Sequence, residues 1–148
     1  MLKTAANPGG TPIEAFDAIR TGLAADRSQF YKDLTLPFFG GNRPNSKLSE
    51  GLRNQFWLQS MQVGLKPALD CIKAFSETDF TEDLKKIECP VFIMHGDDDQ
   101  IVPIADAALL SVKLLKKGTL KVYEGLGHGM CTINADVVNA ELLAFVQS

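Results

Sequence analysis

Three consecutive carboxylates, Asp97-Asp98-Asp99, and one histidine, His128, have the residue types for acid–base chemistry in this chain. The carboxylates follow Gly96, and the histidine stands in the phrase Gly125-Leu126-Gly127-His128-Gly129. An acid and a base of this kind, brought within bonding reach, form a couple for proton transfer. A pair of strands has to place them. Val91-Phe92-Ile93-Met94 follows a proline and carries no charge. An apolar run of that length suits a strand covered on both faces, as in a parallel sheet. A second short run, Thr119–Tyr123, ends just before the histidine phrase. Loops leaving the carboxyl ends of such strands form the ligand crevice of open α/β sheets, so acid and base arrive where ligands bind.

Composition bounds the remaining possibilities. The chain has 148 residues, a net charge of −3 and 45% hydrophobic residues, which suits one compact domain with a core. It lacks the basic excess that nucleic acid or an anionic membrane surface selects, so neither is expected as a partner. No apolar run approaches bilayer length, and residues 1–7 lack the apolar core of a signal peptide. Cys71, Cys89 and Cys131 are an odd number at unrelated spacings. Reduced thiols in a cytoplasmic protein account for them, and no zinc spacing is present.

The first half reads as short helices. Asn7-Pro8-Gly9-Gly10 is turn chemistry. Thr11-Pro12-Ile13-Glu14 reads as a capping box opening a helix to about Ala25, with Ile13, Phe16, Ile19 and Leu23 at helical spacing. A second helix is expected over 27–34, then a loop over 36–45 holding Phe38 and Phe39. Ser46 or Ser49 caps a helix to Met61, and another runs from Pro67 to Phe75. The second half alternates: strand near 91–95, helix near 104–116, strand near 119–123, helix near 135–147. In the 104–116 helix, Ala105, Ala108, Leu109, Val112 and Leu115 share one face. Lys113, Lys116 and Lys117 sit near its C-terminal end, and Gly118 ends it. The last helix is expected to take Asn139 as N-cap and to pack Leu142, Leu143, Phe145 and Val146. The fold class is therefore α/β.

These residues also carry a resemblance. Asp83-Leu84-Lys85-Lys86-Ile87, the run from Pro90 to Pro103 with His95-Gly96-Asp97-Asp98-Asp99 inside it, and Tyr123–Gly129 resemble the C-terminal part of an α/β-hydrolase. Phe75–Leu84 and His128-Gly129-Met130 are similar to its cofactor-free haloperoxidase and aryl-esterase branch in particular. The resemblance implies a partial α/β-hydrolase fold over 1–148, a helical cap over 8–75 and the last two strands and helices of a mostly parallel sheet over 76–148. It implies that Asp99 is the triad acid and His128 the general base, in the chain order nucleophile, acid, histidine. The acid would accept the histidine's Nδ1–H and leave Nε2 free to take a proton from serine. The implied substrate is a small carboxylic ester or acid. The acyl-enzyme would be resolved by water, or by hydrogen peroxide to give a peracid, with no metal, haem or other cofactor.

The chain departs from that family pattern in one respect. No Gly-x-Ser-x-Gly occurs, and none of Ser28, Ser46, Ser49, Ser60, Ser76, Ser111 and Ser148 falls on a strand-to-helix elbow. The segment that precedes the cap, with its nucleophile and oxyanion-hole amides, is not in these residues. An acid–base couple without those groups lacks what usually contributes most to the rate, so the polypeptide alone is expected to have little or no esterase activity. The chain then reads as a fragment, a truncated gene product or one piece of a two-chain assembly. The Val91–Met94 strand lacks one of its family neighbours, and a bare apolar edge is a template for pairing. Self-association or a complementary N-terminal chain is the expected partner. The competing reading is a truncated, non-catalytic interaction or regulatory module.

The other polar residues have plainer readings. Asp97 and Asp98 read as turn formers or helix caps, and His95 as structural. A His95/Asp97/Asp99 metal site is the minor alternative, since the ligand geometry is missing. Cys131 reads as a small buried thiol rather than a nucleophile. Trp57, Phe56, Phe30, Phe38 and Phe39 read chiefly as core of the cap, with one or two of them able to wall an acyl pocket. Ile101, Val102 and Met130 flank the acid and the base and are the expected pocket residues.

Overall fold

The computed structural model describes residues 2–148. They divide into two compact units, one formed by the chain up to Leu36 with Ser49–Asp79, the other by Pro37–Leu48 with Phe80–Ser148.

The first unit is helical. Helix α1 spans Ile13–Phe39, and its last three residues belong to the second unit. Asp26, at φ −150° and ψ 89°, breaks it into two helical stretches. The Asp26 carboxylate accepts the Gln29 N–H at 2.9 Å, which caps the second stretch where the first one stops. Thr11 does not open the helix as expected: it bridges to Leu2, and the helix begins at Ile13. The second stretch also runs past its expected end at 34. Pro37 sits within its last turn, and the stop is Gly40, at φ 66°.

Helix α2 (Glu50–Met61) is capped by Ser49, whose Oγ accepts the Leu52 N–H at 3.1 Å. Helix α3 spans Leu65–Glu77. Phe16, Leu23 and Ile72 form the core of the unit, with Ile19, Phe30, Tyr31 and Leu69 packed against them. Polar groups close its edges. Arg53 Nε donates to the fully buried Thr35 Oγ1 at 3.0 Å, and Trp57 Nε1 donates to Ser28 O at 3.1 Å.

The second unit carries the sheet. A short helix, α4 (Thr81–Leu84), precedes strand β1 (Val91–Gly96). A 3₁₀ turn over Ile104–Asp106 and helix α5 (Ala108–Leu114) lead to strand β2 (Gly118–Tyr123). Helices α6 (Met130–Ile133) and α7 (Ala135–Gln147) follow. The strands pair in parallel, from Val91 opposite Gly118 to Gly96 opposite Tyr123.

Five expectations are corrected here. The 104–116 helix is interrupted at Ala107, whose φ of −136° and ψ of −91° are not helical. Gly118 does not end it but is the first residue of β2. The last helix starts after Asn134, not at Asn139. Its buried residue is Val138, in a cluster with Tyr123 and Met130; Phe145 is half-buried and stacks on Phe92 at 5.2 Å, while Leu142, Leu143 and Val146 are exposed. Strand β1 is less covered than its apolar sequence suggests. Val91–His95 are half-buried and Gly96 alone is buried, because a two-stranded sheet gives each strand one neighbour.

Candidate active site

Pairing continues beyond the last residues of the two strands. Asp97 N donates to Tyr123 O at 3.1 Å, Asp98 N to Leu126 O at 3.1 Å, and Gly125 N to the Asp97 carboxylate at 2.6 Å. These bonds join the loop after β1 to the loop after β2. Gly96 is what lets them meet: a Cβ there would lie 2.0 Å from Leu126 O. The glycine is therefore a requirement of backbone-to-backbone contact.

Asp99 and His128 are brought together by this contact. Asp99 is nearly inaccessible, with 5% of its side chain exposed. Its Oδ1 accepts the N–H groups of Ile101 at 2.9 Å and Val102 at 2.8 Å, an Asx-type turn that fixes the carboxylate against its own loop. Its Oδ2 lies 2.8 Å from His128 Nδ1. A carboxylate can only accept, so Nδ1 carries the hydrogen and Nε2 of the neutral ring keeps its lone pair. His128 is about one-third exposed, so that lone pair is within reach of a reactant. A held acid, an oriented imidazole and a free ring nitrogen can move a proton on and off a hydroxyl.

The segment ahead of Leu48 walls the histidine. The Phe38 ring meets the His128 ring edge-on at 4.7 Å, and Gly129 N donates to Phe38 O at 2.8 Å. Phe39 is buried against Gly129, where a Cβ would come within 2.2 Å of its ring. Phe38 and Phe39 thus pack on the histidine loop, within the second unit. Trp57 and Phe30 do lie in the first unit. The same segment grips the acid loop. Arg43 makes two hydrogen bonds to Asp98, at 2.7 and 2.6 Å, and the Asn42 and Gln100 amides exchange two more, at 2.9 and 3.0 Å. The Arg43 hydrogen bond holds the Asp98 carboxyl below the usual carboxylate range. Asp98 is therefore an ion-pair partner rather than a helix cap, and Asp97 is a loop staple.

Val102 and Met130 line a hollow of about 170 Å³ together with Asp99, His128, Met94, His95 and Cys131. Ile101 is outside that lining and serves through its backbone N–H instead. Cys131 is exposed rather than buried, because its neighbour Met130 takes the inward position at the start of α6. Tyr123 packs with Met130 and Val138; burial pushes its phenol up, and its hydroxyl has no partner among the described residues. No three His, Cys, Asp or Glu side chains among the described residues are grouped to hold a metal ion. No helix among them is long and apolar enough to cross a membrane.

Arg43 was not visible in the sequence as part of the site, and His95 was read there only as structural, whereas Phe38 was among the aromatics read as able to wall a pocket. Arg43 and Asp98 are 55 positions apart, and nothing local to either marks the partner.

No family model matches the chain. It is 58% identical over 149 residues to a non-heme chloroperoxidase of Burkholderia pyrrocinia, covering 100% of this chain and 54% of that protein. It is 50% identical to a bifunctional esterase/perhydrolase of Acinetobacter calcoaceticus, with the same coverage. The crystal structure of a bromoperoxidase from Bacillus anthracis superposes with a TM-score of 0.92 at 32% identity, covering 99% of this chain and 54% of that one. The chain spans about half the length of the curated relatives it matches. By sequence and by fold, it belongs to the non-heme haloperoxidase and esterase branch of the α/β-hydrolases and carries the C-terminal portion of that fold.

Proposed function

We propose that this chain supplies the acid–base part of a serine-hydrolase active site acting on small carboxylic esters. Asp99 orients His128, and His128 Nε2 takes the proton of a serine hydroxyl as its oxygen attacks the ester carbonyl. The same nitrogen returns the proton to the departing alcohol. Water then attacks the acyl-enzyme while His128 accepts its proton, and the acid leaves with serine restored. With hydrogen peroxide in place of water the product is a peracid, which oxidises halide to hypohalous acid and becomes the carboxylic acid. The names of the relatives, chloroperoxidase and esterase/perhydrolase, support this pairing of outcomes.

The observation that carries the reading is the 2.8 Å contact of His128 Nδ1 with a carboxylate that is itself held by two backbone N–H groups. The nucleophile and oxyanion donors come from a polypeptide segment outside these residues, since no Gly-x-Ser-x-Gly occurs among them. In this reading the helical unit serves as the cap. Asp97 N and Val91 N point from β1 towards β2; alternation turns the Phe92 and Met94 N–H groups to the opposite edge. That edge accepts a strand from the complementary segment or from a second copy of the chain.

The test is reconstitution. The chain alone gives no measurable turnover of a short aryl ester and is not labelled by a fluorophosphonate. Mixed with a complementary N-terminal polypeptide carrying Gly-x-Ser-x-Gly, it gives hydrolysis that His128→Ala abolishes. Ester turnover by the chain alone, lost in His128→Ala, overturns the shared-site reading.

A further inference from the structure

One imidazole at the site has no part in the proton transfers above. His95, next to last in β1, keeps only 13% of its side chain exposed. Its Nε2 lies 2.9 Å from Val102 O and 3.3 Å from Asp99 Oδ2. A carbonyl oxygen only accepts, so this nitrogen carries a hydrogen, and that hydrogen faces the carbonyl of Val102 with the carboxylate beside it. Val102 is thus tied at both ends of its peptide frame: its N–H to Asp99 Oδ1 and its C=O to His95.

We propose that His95 is a positioning residue that locks the Asp99 loop to strand β1 and so aims Oδ2 at His128. The chain from Asp97 to Pro103 has no helix or strand to stiffen it. Its shape rests on the Asx turn, on the bonds to the 125–128 loop, on the Arg43 and Asn42 contacts with Asp98 and Gln100, and on this one side chain reaching up from the sheet. Removing the ring leaves the Val102 carbonyl without its partner and removes the only imidazole other than His128 that flanks the carboxylate, since the chain has two histidines. His95 touches no reacting atom in this scheme and acts through Asp99. The inference rests on the acid–base reading of Asp99 and His128.

The experiment uses the full chain labelled with ¹⁵N-histidine, with the ring nitrogens followed across a pH series. In the parent chain His95 is protonated on Nε2, and His128 on Nδ1 with a protected, far-downfield proton resonance. His95→Gln, whose amide N–H takes the place of Nε2–H, keeps the His128 resonance. His95→Leu loses it to exchange, while the amide spectrum of α7 is unchanged. An identical His128 resonance in His95→Leu overturns the inference and leaves the acid–base reading intact. Absence of that resonance from the parent chain overturns both. Should His95→Leu fail to fold, the parent chain still decides: a His95 proton on Nδ1 rather than Nε2 refutes the lock.

Discussion

Substituting alanine for Gly96 probes the contact on which the site is built. The new Cβ would lie 2.0 Å from Leu126 O and 2.6 Å from Leu126 C, whereas ordinary contact begins at 3.4 Å. The two loops would have to separate by about 1.4 Å, and both offending atoms are backbone, which cannot swing aside as a side chain would. The Asp98 N to Leu126 O bond, now 3.1 Å, would then pass beyond hydrogen-bonding range. Overpacking of this kind costs about 1–3 kcal/mol, and each hydrogen bond lost adds about 1 kcal/mol. We expect Gly96→Ala to lose about 2–4 kcal/mol of stability, a fall of about 1–2 M in the urea midpoint for the usual dependence on denaturant. Equilibrium urea unfolding followed by circular dichroism measures it. An unfolding free energy within about 0.5 kcal/mol of the parent, the range of an inconsequential surface change, refutes the claim that the loops are held backbone to backbone.

Three further outcomes follow from named contacts. Arg43→Ala removes the group that lowers the Asp98 carboxyl in the folded chain. Stabilisation from a lowered carboxyl is present above its unfolded value and lost as pH falls through the folded one. The variant should therefore melt below the parent at neutral pH and converge with it in strong acid; an equal deficit at both contradicts the ion pair. Tyr123→Phe deletes a buried hydroxyl that has no partner among the described residues, so thermal unfolding should show it neutral or slightly more stable. A loss above about 1 kcal/mol would reveal a bond that the fold does not show. Ser49→Ala removes the cap of α2 and should cost about 1 kcal/mol in the helical unit, whereas Ser49→Gly costs a few tenths.

What was legible in the sequence follows from where each signal resides. Strand β1 showed itself because Val91–Met94 is unbroken and apolar between a proline and a glycine, and β2 because Thr119–Tyr123 precedes a glycine-rich phrase. Ser49 was visible as one of two serines at a helix start, and the structure selects it. Asp99 emerged from three adjacent carboxylates only through resemblance to a known family, since nothing in Asp97-Asp98-Asp99 itself separates a loop staple, an ion-pair partner and an orienting acid. Their roles depend on which donors face them: Gly125 N, Arg43 and His128 respectively. The break at Ala107 was hidden because alanine favours helix and no proline or glycine marks the site. Asn139 was mistaken for a cap because cap chemistry is shared by every asparagine near a helix start, and Asn134 lay five residues earlier. For Phe38 and Phe39 the sequence left cap core and pocket wall both open, because their partners here, His128 and Gly129, lie in another element far along the chain.

The measurement that bears most directly on the whole account is the tautomer of His128 in the native chain, read from ¹⁵N chemical shifts beside an Asp99→Asn variant. The account predicts a protonated Nδ1 and a bare Nε2 in the parent. It predicts the reverse in Asp99→Asn, where an amide hydrogen faces Nδ1 and drives the proton to the far nitrogen. A parent chain that carries its His128 proton on Nε2, or an Asp99→Asn chain with the tautomer unchanged, contradicts it.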